Sequence, residues 1–158
     1  MNEVFDTDAF NIFPHLVAIG LAYLLALPIG WNHERAERSA GIRTFPLVAM
    51  ASCGFIQAVE TITVGSPEAT ARVVEGVITG MGFIGGGAIL HKGDRVQGTA
   101  TAAALWATGA IGVAVGLGSF DVAVMIALVT GITLYVLSPL KREIAQNRDS
   151  EVKDSNVA

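Results

Sequence analysis

The chain has 158 residues, of which 52% are apolar and 15% charged, with a net charge of −4. That charged share lies well below the roughly 25% of an ordinary soluble domain, and it excludes disorder as a general description. With 10 Lys and Arg against 14 Asp and Glu there is no basic surplus for a nucleic acid, and one cysteine with three histidines supplies neither an intrachain disulfide nor the usual structural zinc site.

Residues 1–12 form a polar N-terminal segment holding Glu3, Asp6 and Asp8 and no base. An apolar run then covers 13–31, interrupted by His15 and ending on Trp31, an interfacial aromatic anchor. It has the length of a membrane span and no basic residues before it, so it reads as a retained span rather than a signal peptide. The 32–43 loop carries Arg35, Arg38 and Arg43, and the four-residue spacing of Glu34 and Arg38 predicts a short helical extension with an ion pair. Further apolar runs follow at 44–64, 73–90, 99–117 and 120–140. No run alternates as a half-buried strand does, and none shows the polar stripe of a soluble amphipathic helix. Residues 141–158 form a polar tail, unstructured from Gln146 onward. The expected fold is all-α: a polytopic membrane protein whose transmembrane domain, 13–140, has five transmembrane helices.

The charges sort by loop. Arg35, Arg38, Arg43, Lys92, Arg95, Lys141, Arg142, Arg148 and Lys153 fall on one side, and only Arg72 falls on the other. The positive-inside rule then places the N-terminus outside and the C-terminus in the cytoplasm. The outer side, with Glu3, Asp6, Asp8, Glu60, Glu68, Glu75 and Asp121, is net acidic and would concentrate divalent cations near the surface.

Within the spans, Cys53, Gln57, Glu60 and Thr61 share one helical face, and Glu75 lies at a similar depth on the next span. Charge in a span usually faces protein or water. Gln57, Glu60 and Glu75 are therefore the candidate cation cluster, with Mg²⁺ at Glu60 and Glu75 as the metal reading. The competing reading is interfacial carboxylates, with Glu75 paired to Arg72. Three glycine pairs, Gly76 and Gly80, Gly82 and Gly86, Gly112 and Gly116, have the four-residue spacing that lets helices approach closely in lipid. They predict a tight third-to-fourth span pair or a subunit seam. The run 80–85 also fits G-x-G-x-x-G, but no strand precedes it and no acidic residue follows at ribose distance, so a dinucleotide site is rejected. Glu34, Arg38, Gly41, Arg43 and Thr44 make the cytoplasmic loop a docking or anion-binding surface, or an interface with anionic lipid heads. No nucleophile arrangement is present, so no catalytic residue, enzyme activity or cofactor is expected.

Three blocks carry a family likeness: Ala40-Gly41-Ile42-Arg43-Thr44 with Leu47-Val48, the Gly-rich run Gly80 to Gly87 within 72–90, and Thr101-Ala102-Ala103-Ala104-Leu105-Trp106-Ala107-Thr108 within 96–112. In order and spacing, over roughly 14–140, the chain resembles the MgtC/SapB family of bacterial inner-membrane proteins. It departs from the family pattern at Asn32-His33, at Glu37-Arg38-Ser39 and at Gln97-Gly98. The resemblance implies a short form without the soluble C-terminal domain of longer members. It also implies a multi-pass inner-membrane protein tied to growth at low magnesium, virulence and restraint of the F-type ATP synthase. The expected partners are the lipid bilayer, a second copy in a homodimer or other homo-oligomer, and a membrane protein such as that synthase. The expected activity is regulation of magnesium, ion and energy homeostasis by intramembrane helix contacts; the alternative is a magnesium or other cation transporter or channel.

Overall fold

The computed structural model describes residues 12–35, 40–63, 65–92 and 95–155. In chain order these form α1 (Ile12–Arg35), α2 (Thr44–Ala58), the one-turn α3 (Glu60–Thr63), α4 (Pro67–Gly87), β1 (Leu90–Lys92), β2 (Arg95–Gln97), α5 (Thr99–Gly116) and α6 (Phe120–Ser155). Apart from one small hairpin the described chain is helical. Three helical segments are long and apolar enough to cross a membrane: Ile12–Arg35, Thr99–Gly116 and Phe120–Leu137. The apolar α2 is shorter, at 15 residues.

The helix at the centre is α5, which packs on α1, α2, α4 and α6. Its sequence explains this, because its buried Thr101, Ala104, Thr108, Gly109, Gly112 and Ala114 are small enough for several neighbours to approach its backbone. The buried Thr108 hydroxyl is satisfied by donating to the Ala104 carbonyl at 2.8 Å. The face α1 turns inward is also small, with Ala18, Ala22, Ala26 and Gly30 at four-residue spacing. Larger residues such as Phe45, Leu105 and Ile111 fill the gaps.

The outside is the reverse. Phe13, Leu24, Ile62, Phe83, Ile132 and Tyr135 are exposed, Phe83 at 86%. Contiguous apolar surface of this kind needs an apolar solvent or a partner.

Four local features differ from the sequence expectation. The 44–64 run is divided, because α2 stops at Ala58, where Val59 leaves helical geometry (φ −107°, ψ 2°) and its N–H turns back to the Gln57 carbonyl. Val59, Ile62 and two threonines lower helix propensity there, since branching at Cβ restricts χ1 against the preceding turn. The next helix begins earlier than the apolar run at 73. Gly65 turns the chain with φ +76°, the Ser66 hydroxyl accepts the Ala69 N–H at 3.3 Å, and Pro67 and Glu68 open α4. Between α4 and α5 stands the antiparallel hairpin, His91 opposite Val96. It ends at Gly98 (φ +89°), where a Cβ would overlap the Ala88 carbonyl oxygen. Last, α6 continues as one 36-residue helix to Ser155, replacing the expected unstructured tail; Lys141, Arg142, Glu143, Ala145 and Gln146 are all good helix formers.

Candidate functional site

Residues 40–43, just ahead of α2, lie against the end of α1. Glu34 Oε2 accepts the Ile42 N–H at 3.0 Å. A Cβ at Gly41 would overlap the Glu34 carboxylate, so a side chain there displaces that carboxylate from the Ile42 N–H. Gly30 gives the matching clearance on α1, because a Cβ there would stand 3.0 Å from Ile42 Cα and 3.4 Å from Phe45 Cβ. The Gly41 carbonyl accepts the N–H groups of Thr44 and Phe45 at 3.0 and 3.4 Å, which starts α2 without a side-chain cap. Beneath this turn His33 is fully buried. Its Nδ1 donates to the Ile29 carbonyl at 3.1 Å, since a carbonyl can only accept, and its ring lies 4.4 Å from that of Phe45. Composition alone did not single out His33 or Gly30, although Gly30 continues the readable Ala22-Ala26 spacing. The expected Glu34–Arg38 ion pair involves Arg38, which lies outside the described residues. Arg43 is exposed, and Arg35 stands over the Trp31 ring at 5.6 Å.

The six glycines divide into two groups. A Cβ at Gly112 would overlap the Ala49 carbonyl oxygen and stand 2.8 Å from Ser52 Cβ, and one at Gly116 would stand 2.8 Å from Ile56 Cβ. These two therefore join α5 to α2, where the sequence pointed to the α4–α5 pair. The contact of α4 with α5 uses other positions: Met81 against Gly109, and Gly85 with its Cβ position 3.5 Å from the Ala102 carbonyl oxygen. At Gly76, Gly80, Gly82 and Gly86 an added Cβ would meet nothing within 4 Å. Helical periodicity puts Glu75, Thr79, Gly82 and Gly86 on one exposed face of α4, with the Thr79 hydroxyl donating to the Glu75 carbonyl at 2.9 Å. Gly76 and Gly80 lie on the next face round and line a groove between α4 and α2. The family-motif residues sit apart from these surfaces. Thr101 is buried in α5, and Trp106 is half exposed beside α4 in a cleft with Val74 and Ile78.

The three polar residues proposed for a cation are not on one continuous face. Gln57 is near the end of α2, the break at Val59 intervenes, and Glu60 opens α3. Glu60 borders a cavity of about 220 Å³ with Thr70, Val73 and Gly116; Glu75 does not line it. Gln57 Oε1 is buried with no hydrogen-bond partner. Among the described residues no group of three or more His, Cys, Asp or Glu could hold a metal ion.

Small residues inside, large apolar residues outside and three helices of membrane-crossing length define a helical membrane protein. The chain belongs to the MgtC family, which matches residues 19–143. It is similar to Protein MgtC of Salmonella typhimurium, 37% identical over 135 residues, covering 85% of this chain and 55% of the relative. It is also similar to Protein SrpB of Synechococcus elongatus, 40% identical over 134 residues, covering 77% of this chain and 72% of the relative. The chain thus spans about half the length of the MgtC relatives it matches. No solved structure matches it.

Proposed function

We infer that this protein is a five-span bacterial inner-membrane regulator of magnesium, ion and energy homeostasis. It acts through helix contacts inside the bilayer rather than through catalysis or a bound cofactor. In this reading α1, α2 with α3, α4, α5 and α6 cross the membrane, the N-terminus lies outside and the C-terminus lies in the cytoplasm. The sorting of the bases supports that orientation, with Arg35 and Arg43 at one end of the α1–α2 pair and Arg72 at the other end of α4.

The single observation that carries the reading is the exposed α4 face of Gly82 and Gly86, closed by none of the described residues. In lipid such a surface favours a close-packed helix, because small residues let two backbones meet and van der Waals contact replaces the missing hydrophobic drive. The partner is a second copy or another membrane protein such as the F-type ATP synthase. Gly82→Leu is the direct test. It should abolish recovery of crosslinked dimer or partner from native membranes and, with it, support of growth at low magnesium. Undiminished crosslinking would count against the reading.

The transporter reading has one observation in its favour, the buried Gln57 Oε1 beside the break that leads to Glu60. Purified protein in liposomes separates the two. A regulator moves no Mg²⁺, whereas flux lost in Glu60→Gln would establish transport.

A further inference from the structure

The groove between α2 and α4 lies on a different face from the contact surface just described. It holds about 730 Å³ and is mostly apolar, from Leu47, Ala51 and Phe55 on α2 to Val73, Gly76 and Gly80 on α4, with the buried Ser52 midway. The charged residue lining it is Arg43, which stands with Thr44 at the start of α2. Arg43 makes no ion pair with any described residue, and the nearby Glu34 carboxylate is committed to the Ile42 N–H. From Thr44 to Val59 the groove runs about 22 Å along the helix, longer than the roughly 15 Å depth of one leaflet.

We propose that this groove is a binding site for one anionic phospholipid of the inner leaflet, its phosphate on Arg43 and Thr44 and an acyl chain along α2 and α4. Charge complementarity selects the headgroup. A guanidinium offers a phosphate two parallel N–H donors, a hydroxyl adds a third, and a zwitterionic choline headgroup would bring its own cation to the same arginine. Shape suits the chain, because the groove runs lengthwise between two helices and is lined mostly by apolar side chains. The open glycines Gly76 and Gly80 deepen the floor, and a side chain there would fill it. The assignment to the inner leaflet rests on the proposed orientation; the preference for an anionic lipid does not.

The test uses the full chain in nanodiscs of phosphatidylcholine containing equal small fractions of diazirine-tagged phosphatidylglycerol or diazirine-tagged phosphatidylcholine. After irradiation the labelled peptides are read by mass spectrometry. Phosphatidylglycerol should label α2 and α4 groove residues at least fivefold more than phosphatidylcholine does. Arg43→Gln should bring that ratio to about one, Arg43→Lys should keep part of it, and Gly80→Leu should lower labelling by both probes. Gly82→Leu, on the other face, should leave the ratio unchanged. Equal labelling by the two lipids in the unaltered protein would overturn the site, as would a ratio insensitive to Arg43→Gln. Chain-to-chain crosslinks at α2 and α4 in place of lipid label would also overturn it, by showing a second copy in the groove. A C-terminus found outside would overturn the orientation and move the site to the other leaflet, while a persistent phosphatidylglycerol preference would leave the site itself standing.

Discussion

At the scale of single residues, the connector after α1 is held by one carboxylate and one missing side chain. Gly41→Val puts a Cβ into the Glu34 carboxylate. Glu34→Ala leaves the Ile42 N–H without its acceptor. Each removes the same exposed hydrogen bond and should destabilise the purified protein by about 0.5–1.5 kcal/mol, read as a lower melting temperature in detergent. Because both changes break the same contact, the double variant should cost clearly less than the two effects added. Full additivity would show that the glycine and the carboxylate act independently. The sequence marked Glu34, Gly41 and Arg43 as one patch and paired Glu34 with Arg38, which lies outside the described residues. The Ile42 N–H that Glu34 accepts was not readable, because helical spacing considers only neighbours on one helix and Ile42 is eight residues on. His33 was similarly opaque as one of three scattered histidines, since its burial is made by Phe45 on another helix.

At the scale of elements, the two glycine groups respond oppositely to the same substitution. Gly112→Ala forces α5 away from the Ala49 carbonyl, and overpacking of this kind costs about 1–3 kcal/mol. Gly82→Ala meets none of the described residues and replaces a flexible helical residue, so the isolated protein should be unchanged or stabilised by up to about 1 kcal/mol. Thermal melts of the two variants check the contrast; equal losses would contradict the packing described for α5. The four-residue spacing of Gly112 and Gly116 was readable, but not which helix they meet, because spacing identifies a surface without naming its partner. Hydropathy located the helices while misplacing their ends. It followed apolarity, whereas Ser66-Pro67-Glu68 begins α4 by capping chemistry within a polar stretch. The hairpin had its own signal in Gly93-Asp94 between two short runs, a two-residue turn pair hidden by the search for long apolar segments.

At the scale of the whole molecule, the proposed orientation rests on the sorting of nine bases to one side in the sequence. A green fluorescent protein fused after Leu140 should fluoresce in the cytoplasm, and alkaline phosphatase fused at Gly118, in the α5–α6 turn, should be active outside. An inactive phosphatase at Gly118 with an active one at the C-terminus would invert the molecule. The helical class and the membrane setting were readable from the charged fraction and its distribution. The central place of α5 was not, because α1, α2, α4 and α6 are all apolar enough to compete for that place, and only the smallest surface admits four neighbours. The exposed Phe83 and Tyr135 together with the buried Ala22, Ala26 and Ala49 have one more consequence. A scale that ranks substitutions by lost hydrophobicity runs backwards in this protein. Ala22→Leu, which makes the chain greasier, wedges the bundle apart; Leu24→Ala, which makes it less so, gives up little but contact with lipid. Tolerance to change is therefore greatest at the large apolar residues of the outer surface, and the fold is remembered by its small buried ones.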